Sequence, residues 1–426
     1  MTPATGSGRR TVDADGIGRV EGEGSLRLEI DGGTVTDVAL DIFEPPRYFE
    51  ALLVGRDFHE APDLTARICG ICPVAYQLSA CAAMEDACGV EVSDRITALR
   101  RLLYCGEWIQ SHALHVYLLH APDFLGYPDA VAMAEHHRAE VERGLALKRA
   151  GNLVMTTVGG RAVHPVNVRV GGFYRSPDRD TVAALADPLR RARDDALATA
   201  EWVAGFEFPE VSGDYRFVSL RGGERYPIEG GRPAISDGRH VTPAQLAALV
   251  VEEHVARSTA LHARLEGRFE YLTGPLARFA LNADLLPSVA ADAAAAAGLR
   301  GPCTNPFRSI VVRAVELVAA CDEALALVEA YAPPEPPAVA VTAPAGGGVG
   351  YGVTEAPRGL LLHRYDIDAE GTIRLARIVP PTSQNQLTIE ADLRRTAQWS
   401  VDQGDDDDAL RHVCEQSVRN HDPCIS

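Results

Sequence analysis

Two β-hairpins set far apart in the chain bracket a nearly continuous helical pattern, and that arrangement limits the possible folds more than any single motif. Residues 25–43, "SLRLEIDGGTVTDVALDIF", place an Asp-Gly-Gly turn between alternating strands. Residues 359–379, "GLLLHRYDIDAEGTIRLARIV", repeat the plan around Glu-Gly. Prolines follow both, in "EPPR" and "VPPTS". Between them, apolar residues recur at three- and four-residue spacing over 74–88, 95–120, 129–158, 178–204, 242–264 and 306–331. One more helix is expected over 407–419. The pattern predicts an α+β chain, mainly α with small β-hairpins, whose body is a long-helix bundle over 74–331. The Pro/Gly-rich segment 332–352 reads as a connection without a new core behind it, so 1–426 is expected to form one domain. "GDDDD" at 404–408 reads as a solvated loop leading into a helix start.

Charge and composition then exclude whole classes of function. A net charge of −18 argues against nucleic acid or an anionic membrane as partner. The N-terminal stretch has a basic pair but no apolar run behind it, so no secretory signal is expected. No stretch is apolar for long enough to span a bilayer. Nine irregularly spaced cysteines without an export signal favour reduced thiols and a cytoplasmic location, where cysteine clusters mean metal or catalysis more often than disulfides. No phosphate-binding loop of the G-x-x-x-x-G-K-[ST] type occurs. "GIGRVEGEG" fails the dinucleotide pattern, being read as following no strand and opening no helix.

The chemistry-bearing residues cluster in a few short motifs. In "RICGICPVAYQ", Pro73 suits the first position of a helix and Gly89 its C-terminal stop, which puts Cys69 and Cys72 at a helix N-terminus. Unbonded N–H groups and the positive dipole end there favour thiolate over thiol. Two thiolates so spaced can grip one soft metal, and Cys424 in "HDPCIS" offers a third sulfur. Cys81, Cys88, Cys105, Cys303, Cys321 and Cys414 read as small core residues, and no four have iron–sulfur spacing. His112 and His115 share a helical face; with His120 they read as hydrogen-bonded core histidines. Glu21 in "RVEGEG" is either a proton relay or an exposed turn carboxylate. Arg358 in "TEAPRG" offers its fork of donors to an anionic ligand or to a surface ion pair.

Taken in order along the whole chain, "RVEGEG", "RYFE", "RICGIC", "SHALHVY", "GGRAVHPVNVRVGG", "TEAPRG", "VPPTS" and "DPC" resemble the large subunit of nickel–iron hydrogenases, most of all the cytosolic bidirectional NADP-linked group also called sulfhydrogenases. The resemblance implies nickel held by four cysteines, of which Cys69, Cys72 and Cys424 are present. It implies an iron carrying carbonyl and cyanide, bridged by Cys72 and by a fourth cysteine that would fall directly after Ser426. The chain as written is therefore expected to lack one bridging ligand, and a selenocysteine codon read as stop is one account of that position. Glu21 matches a proton-exit glutamate, and Glu50 matches a ligand of a separate magnesium (or iron) ion. Pro357, Arg358 and Thr382 match residues lining the diatomic ligands, and Asp422 the carboxylate flanking the site. Tyr76 stands where many relatives have a histidine, which bears on tuning of the site. The implied partners are an iron–sulfur small subunit, NAD(P)-binding diaphorase subunits, maturation proteins and H2 as substrate. Two rivals are an inactive scaffold related to the quinone-site subunit of respiratory complex I, and a zinc-stabilised structural protein.

Overall fold

The computed structural model describes residues 8–43 and 48–424. The prolines of "EPPR", Arg47 of "RYFE", the extreme N-terminus and the position after Ser426 lie outside the described residues. The fold is α+β and mainly helical, with small antiparallel sheets. Among the described residues no helix is long and apolar enough to cross a membrane.

The first hairpin is β2 (Gly24–Asp31) against β3 (Thr34–Ile42), and β1 (Arg10–Ala14) adds an outer strand, in the order β1-β2-β3. "GIGRVEGEG" thus does follow a strand, but no helix opens after it. Alternation along β2 and β3 buries Leu26, Leu28, Leu40 and Ile42. The body uses α1 (Pro73–Cys88), α2 (Asp94–Leu114), α3 (Arg138–Gly159), α4 (Ala186–Ala204) and α5 (Ser309–Glu329). α2 packs on α3 and α5, and α5 on α4.

The second hairpin also gains a strand. β4 (Gly348–Ala356) pairs with β5 (Gly359–Ile367), which pairs with β6 (Ile373–Val379). β4 begins inside the segment expected to be a connection, and its glycines explain why it looked like one. A Cβ on Gly348, Gly350 or Gly352 would sit 2.2, 1.9 or 2.1 Å from the carbonyl oxygens of Ala87, Ala83 and Ser79. Alternate glycines let the strand lie flat on α1, against small residues four apart along the helix.

The helical expectations need further corrections. Of 242–264 only Pro243–Leu249 is helical; Val250–Glu253 and His262–Leu265 form a hairpin. Val250 and Leu265 join a core with Leu246 and Val379, and such a short β-branched run is ambiguous by periodicity alone. The helix expected over 129–158 breaks at "EHH" into Ala130–Met133 and α3, and that over 178–204 breaks before α4. The end of 95–120 is a π-helical turn, His115–His120. A long helix, α6 (Pro381–Gln403), escaped the apolar pattern because its buried face is largely polar: Gln384, Asn385, Gln386, Thr388, Asp392, Thr396 and Ser400. α7 (Asp407–Asn420) follows, its start capped by Asp406, which accepts from the Ala409 N–H. α6 and α7 pack on the first sheet's core, while Cys69, Cys72 and Cys424 belong to the main core formed by α1, α2 and α5.

Candidate metal centre

Cys72 is the N-cap of α1 and Pro73 its first residue; Gly89 closes the helix in the left-handed conformation, φ 62°. The helix start is not left open, however. Glu107 of α2 accepts the Val74 N–H at 2.6 Å and the Ala75 N–H at 3.1 Å. The expected help from unbonded N–H groups is therefore narrower than the sequence suggests. It comes from the Cys72 N–H, which donates to Cys69 Sγ at 3.3 Å.

The third sulfur arrives from the far end of the chain. After α7 the segment turns through Asp422, whose φ of 50° lies in the left-handed region, and delivers Cys424. Cys424 Sγ is 3.2 Å and Cys72 Sγ 2.9 Å from Cys69 Sγ, and the three sulfurs lie within 4.8 Å of one another. All are buried, at 1%, 3% and 5% exposure. Hydrogen bonds from Cys424 and Cys72 hold the Cys69 thiol well below its ordinary pKa, with Arg358 adding to the effect. Hydrogen bonding to its neighbours and burial push Cys72 up, and hydrogen bonding to Cys69 does the same to Cys424. One thiolate flanked by two thiols in a closed pocket suits a soft, thiophilic metal, so the donors present fit a nickel–iron group. The expected fourth sulfur lies outside the described residues.

A cation and a carboxylate stand over the sulfurs. Arg358 Nη1 is 3.8 Å from Cys72 Sγ, and Nη2 donates to Asp422 Oδ1 at 3.2 Å. Burial opposes the Arg358 charge, but Asp422 and the cysteines outweigh it. Pro357 is buried beside it, its carbonyl accepting from Arg278 Nη2 at 2.9 Å. Thr382, at the start of α6, accepts the Cys424 N–H at 2.9 Å. Glu21 forms a parallel bridge with Cys424 and is half-buried, so it is no exposed turn residue. Tyr76 is 1% exposed, packs with its ring centre 5.8 Å from that of His363 and tilted 53° to it, and has its phenol pushed up by burial and by the three thiols.

Other residues fall elsewhere. Glu50 does not join the sulfur cluster; its Oε1 accepts the Ile378 N–H at 2.7 Å, just before "VPPTS". His115 Nε2 bonds to the Arg419 carbonyl at 2.8 Å, and His112 Nε2 lies 3.2 Å from Glu316. The hydrogen-bonded core reading fails for His112 and His120: among the described residues no ring nitrogen of either makes a hydrogen bond; His112 has only its 3.2 Å approach to Glu316, and the His120 ring packs on His115 and Phe124. Of the six remaining cysteines five are buried and Cys88 is half-buried. Sequence reasoning missed Glu107, and it missed Arg278, which binds Glu316 through two 2.7 Å contacts and reaches Glu355 at 3.1 Å. Glu107 and Glu316, acidic residues at buried positions of α2 and α5, were the available signal.

Known proteins agree with this geometry. The sequence model of nickel-dependent hydrogenases matches residues 47–146. Sulfhydrogenase 1 subunit alpha of Pyrococcus furiosus is 34% identical, covering 97% of this chain and 96% of its own. Sulfhydrogenase 2 subunit alpha of the same organism is 33% identical, with 97% and 98% covered. The crystal structure of an NAD+-reducing [NiFe]-hydrogenase in the H2-reduced state superposes with a TM-score of 0.86 at 25% identity, covering 98% of each chain. The chain belongs to the nickel-dependent hydrogenases, as a catalytic large subunit.

Proposed function

We propose that this chain is the hydrogen-activating subunit of an NAD(P)-linked enzyme that splits H2 reversibly and heterolytically. Electrons leave to an iron–sulfur small subunit and onward to NAD(P)-binding diaphorase subunits; the NAD+-reducing relative supports that route. The observation that carries the reading is the convergence of Cys69, Cys72 and Cys424 beneath Arg358, with Glu21 beside Cys424. A nickel–iron group held there would supply the metal chemistry for splitting the H–H bond. Cys69, Cys72 and Cys424 would hold it. Arg358 would present guanidinium donors to the cyanide of such a group, and Pro357 would form an apolar wall beside its carbonyl and cyanide ligands. Thr382 accepts from the Cys424 N–H and so keeps its own hydroxyl proton to donate. Asp422 orients Arg358. A proton at Cys424 Sγ has the Glu21 carboxylate next along its way out. Glu50 would be a ligand of the separate magnesium or iron ion. Assembly requires maturation proteins, and the complex works in the cytoplasm.

Metal analysis combined with hydrogen–deuterium exchange tests the reading. The complex purified with its small subunit is expected to contain nickel and iron, to show infrared bands of bound carbonyl and cyanide, and to reduce NAD(P) with H2. Zinc alone would make the sulfur cluster a structural site, and no metal at all would favour an inactive scaffold.

A further inference from the structure

A small cavity lies behind the Arg358–Asp422 pair. Its volume is about 10 Å³, and its walls are buried residues that include Thr273, Ser309, Arg313, Arg358, Asn420 and His421. Space of this size, roughly 10–15 Å³ by the same measure, takes one water and no more, provided two to four polar groups meet there.

Unsatisfied polar atoms are concentrated around it. Among the described residues, Arg313 Nε and Nη1, Arg358 Nε, and Asn420 Oδ1 and Nδ2 on its walls make no hydrogen bond within the protein, and neither does Oδ2 of Asp422, which follows the lining His421 in the chain. None of these residues is more than 3% exposed. Asp422 Oδ2 is 3.2 Å from Arg358 Nε, but the contact is out of line for a hydrogen bond. Glu316 does not relieve Arg313: its oxygens accept from Arg278, Oε1 also accepts from the Tyr226 hydroxyl, and His112 lies 3.2 Å from Oε2. A buried guanidinium with idle N–H groups is strongly disfavoured unless something accepts from it.

The backbone supplies an independent reason to look here. Asp422 is held at φ 50°, where a residue with a side chain rests only if its surroundings fix it. Ser309 and Arg313, one turn apart on α5, both face this segment, and Ser309 Oγ donates to the Asn420 carbonyl at 2.7 Å.

We propose that the cavity is a structural water site and that Arg313 is a positioning residue acting through it. Arg313 donates to the water, and the water donates to Asp422 Oδ2 and Asn420 Oδ1. The Nε–H and Nη1–H groups of one guanidinium point to opposite sides, so the water accepts from one of them and gives two bonds, which satisfies three of the six idle atoms. Its consequence is that helix α5 pins Asn420–Cys424, keeping the strained Asp422 aligned on Arg358 and Cys424 next to Cys69. The water site stands on protein geometry alone; the effect on catalysis rests on the roles proposed for Asp422 and Cys424.

The two parts are tested separately. A high-resolution crystal structure of the assembled enzyme should place one water within hydrogen-bond distance of Arg313 and Asp422, whether or not the protein turns over H2. A dry cavity, or one closed by side-chain movement, overturns the site. Arg313→Met is expected to lower kcat for hydrogen–deuterium exchange about 10-fold while KM and metal content stay level. Arg313→Lys should recover most of the loss, since an ammonium can still donate to the water. Asn420→Leu, which fills the cavity with apolar atoms, should reproduce the loss and guards against misfolding of the Met variant. Wild-type kcat and an unchanged pH profile in the variants that fold would overturn the positioning role, as would failure of Lys to rescue.

Discussion

The backbone N–H of Cys424 donates to the Thr382 hydroxyl at 2.9 Å, tying the last sulfur of the site to the first turn of the helix after "VPPTS". Both residues are buried, so no solvent can replace the bond. Thr382→Val keeps the shape and removes the acceptor. It is expected to cost about 1–3 kcal/mol in chemical denaturation and to lower metal retention during dialysis, whereas Thr382→Ser should stay close to wild type. Equal behaviour of the Val and Ser variants would show that the hydroxyl is idle.

Cys69 is the sulfur to which both other thiols donate, so its loss disperses the cluster instead of trimming it. Cys69→Ala should reduce nickel to background by elemental analysis. Cys81 lies further along the same helix, its thiol pushed up to about 12 by burial. Cys81→Ala should retain metal and lose only modest stability, as expected for a small core residue. Loss of nickel from both variants would mean that folding, not ligation, is being measured.

What the sequence made legible follows from which signals are local. Cys69, Cys72, Pro73 and Gly89 declared a helix with sulfurs at its start because capping chemistry spans a few residues. Cys424 joined them only through the ordered motif series, since no local pattern announces a contact across 355 residues. α6 was invisible for the opposite reason. Gln384, Asn385 and Asp392 are buried by hydrogen bonding, to Leu360, Thr273 and Tyr215 among others, so their polarity read as surface. The glycines of β4 signalled a loop when their real role is to let a strand touch α1. Glu107 takes up the N–H groups expected to serve the thiols, which no spacing rule foretells.

Arg278 sits between two buried glutamates and serves them unequally. It forms the double contact with Glu316, whose carboxyl burial would raise but Arg278 brings down to about 2. Glu355 receives a single contact, and burial pushes it from 4.5 up to about 7. A carboxyl raised on folding favours the protonated native state. Its contribution is complete below pH 4.5 and is lost as pH rises through about 7. The change amounts to about 3 kcal/mol, from 1.36 kcal/mol per pKa unit. Glu355→Gln is expected to flatten denaturation stability between pH 4.5 and 7. The comparison is of slopes, so any constant offset from the amide drops out. An unchanged slope would assign that window to other groups.

Arg358 meets Asp422 through two of its nitrogens and Cys72 through a third. A lysine ammonium carries the same charge but cannot span these positions at once, because it is a compact donor on a flexible stem. Arg358→Lys should therefore lower hydrogen–deuterium exchange about 10- to 100-fold and shift the infrared bands of the diatomic ligands. Unshifted bands would place Arg358 away from those ligands and leave it as the partner of Asp422 alone.

Glu21 pairs its main chain with that of Cys424, which brings a carboxylate to the one cysteine of the three that arrives from the C-terminal end. An amide of the same shape cannot take up and release a proton. Glu21→Gln should therefore leave nickel and iron content level while hydrogen–deuterium exchange falls about 100-fold or more, the usual weight of a general acid–base group. Glu21→Asp keeps the carboxyl one methylene short and should recover part of the rate, with a steeper pH dependence. Exchange that is insensitive to all three side chains would leave residue 21 a structural partner of the Cys424 strand, and the proton would have to leave by another face of the site.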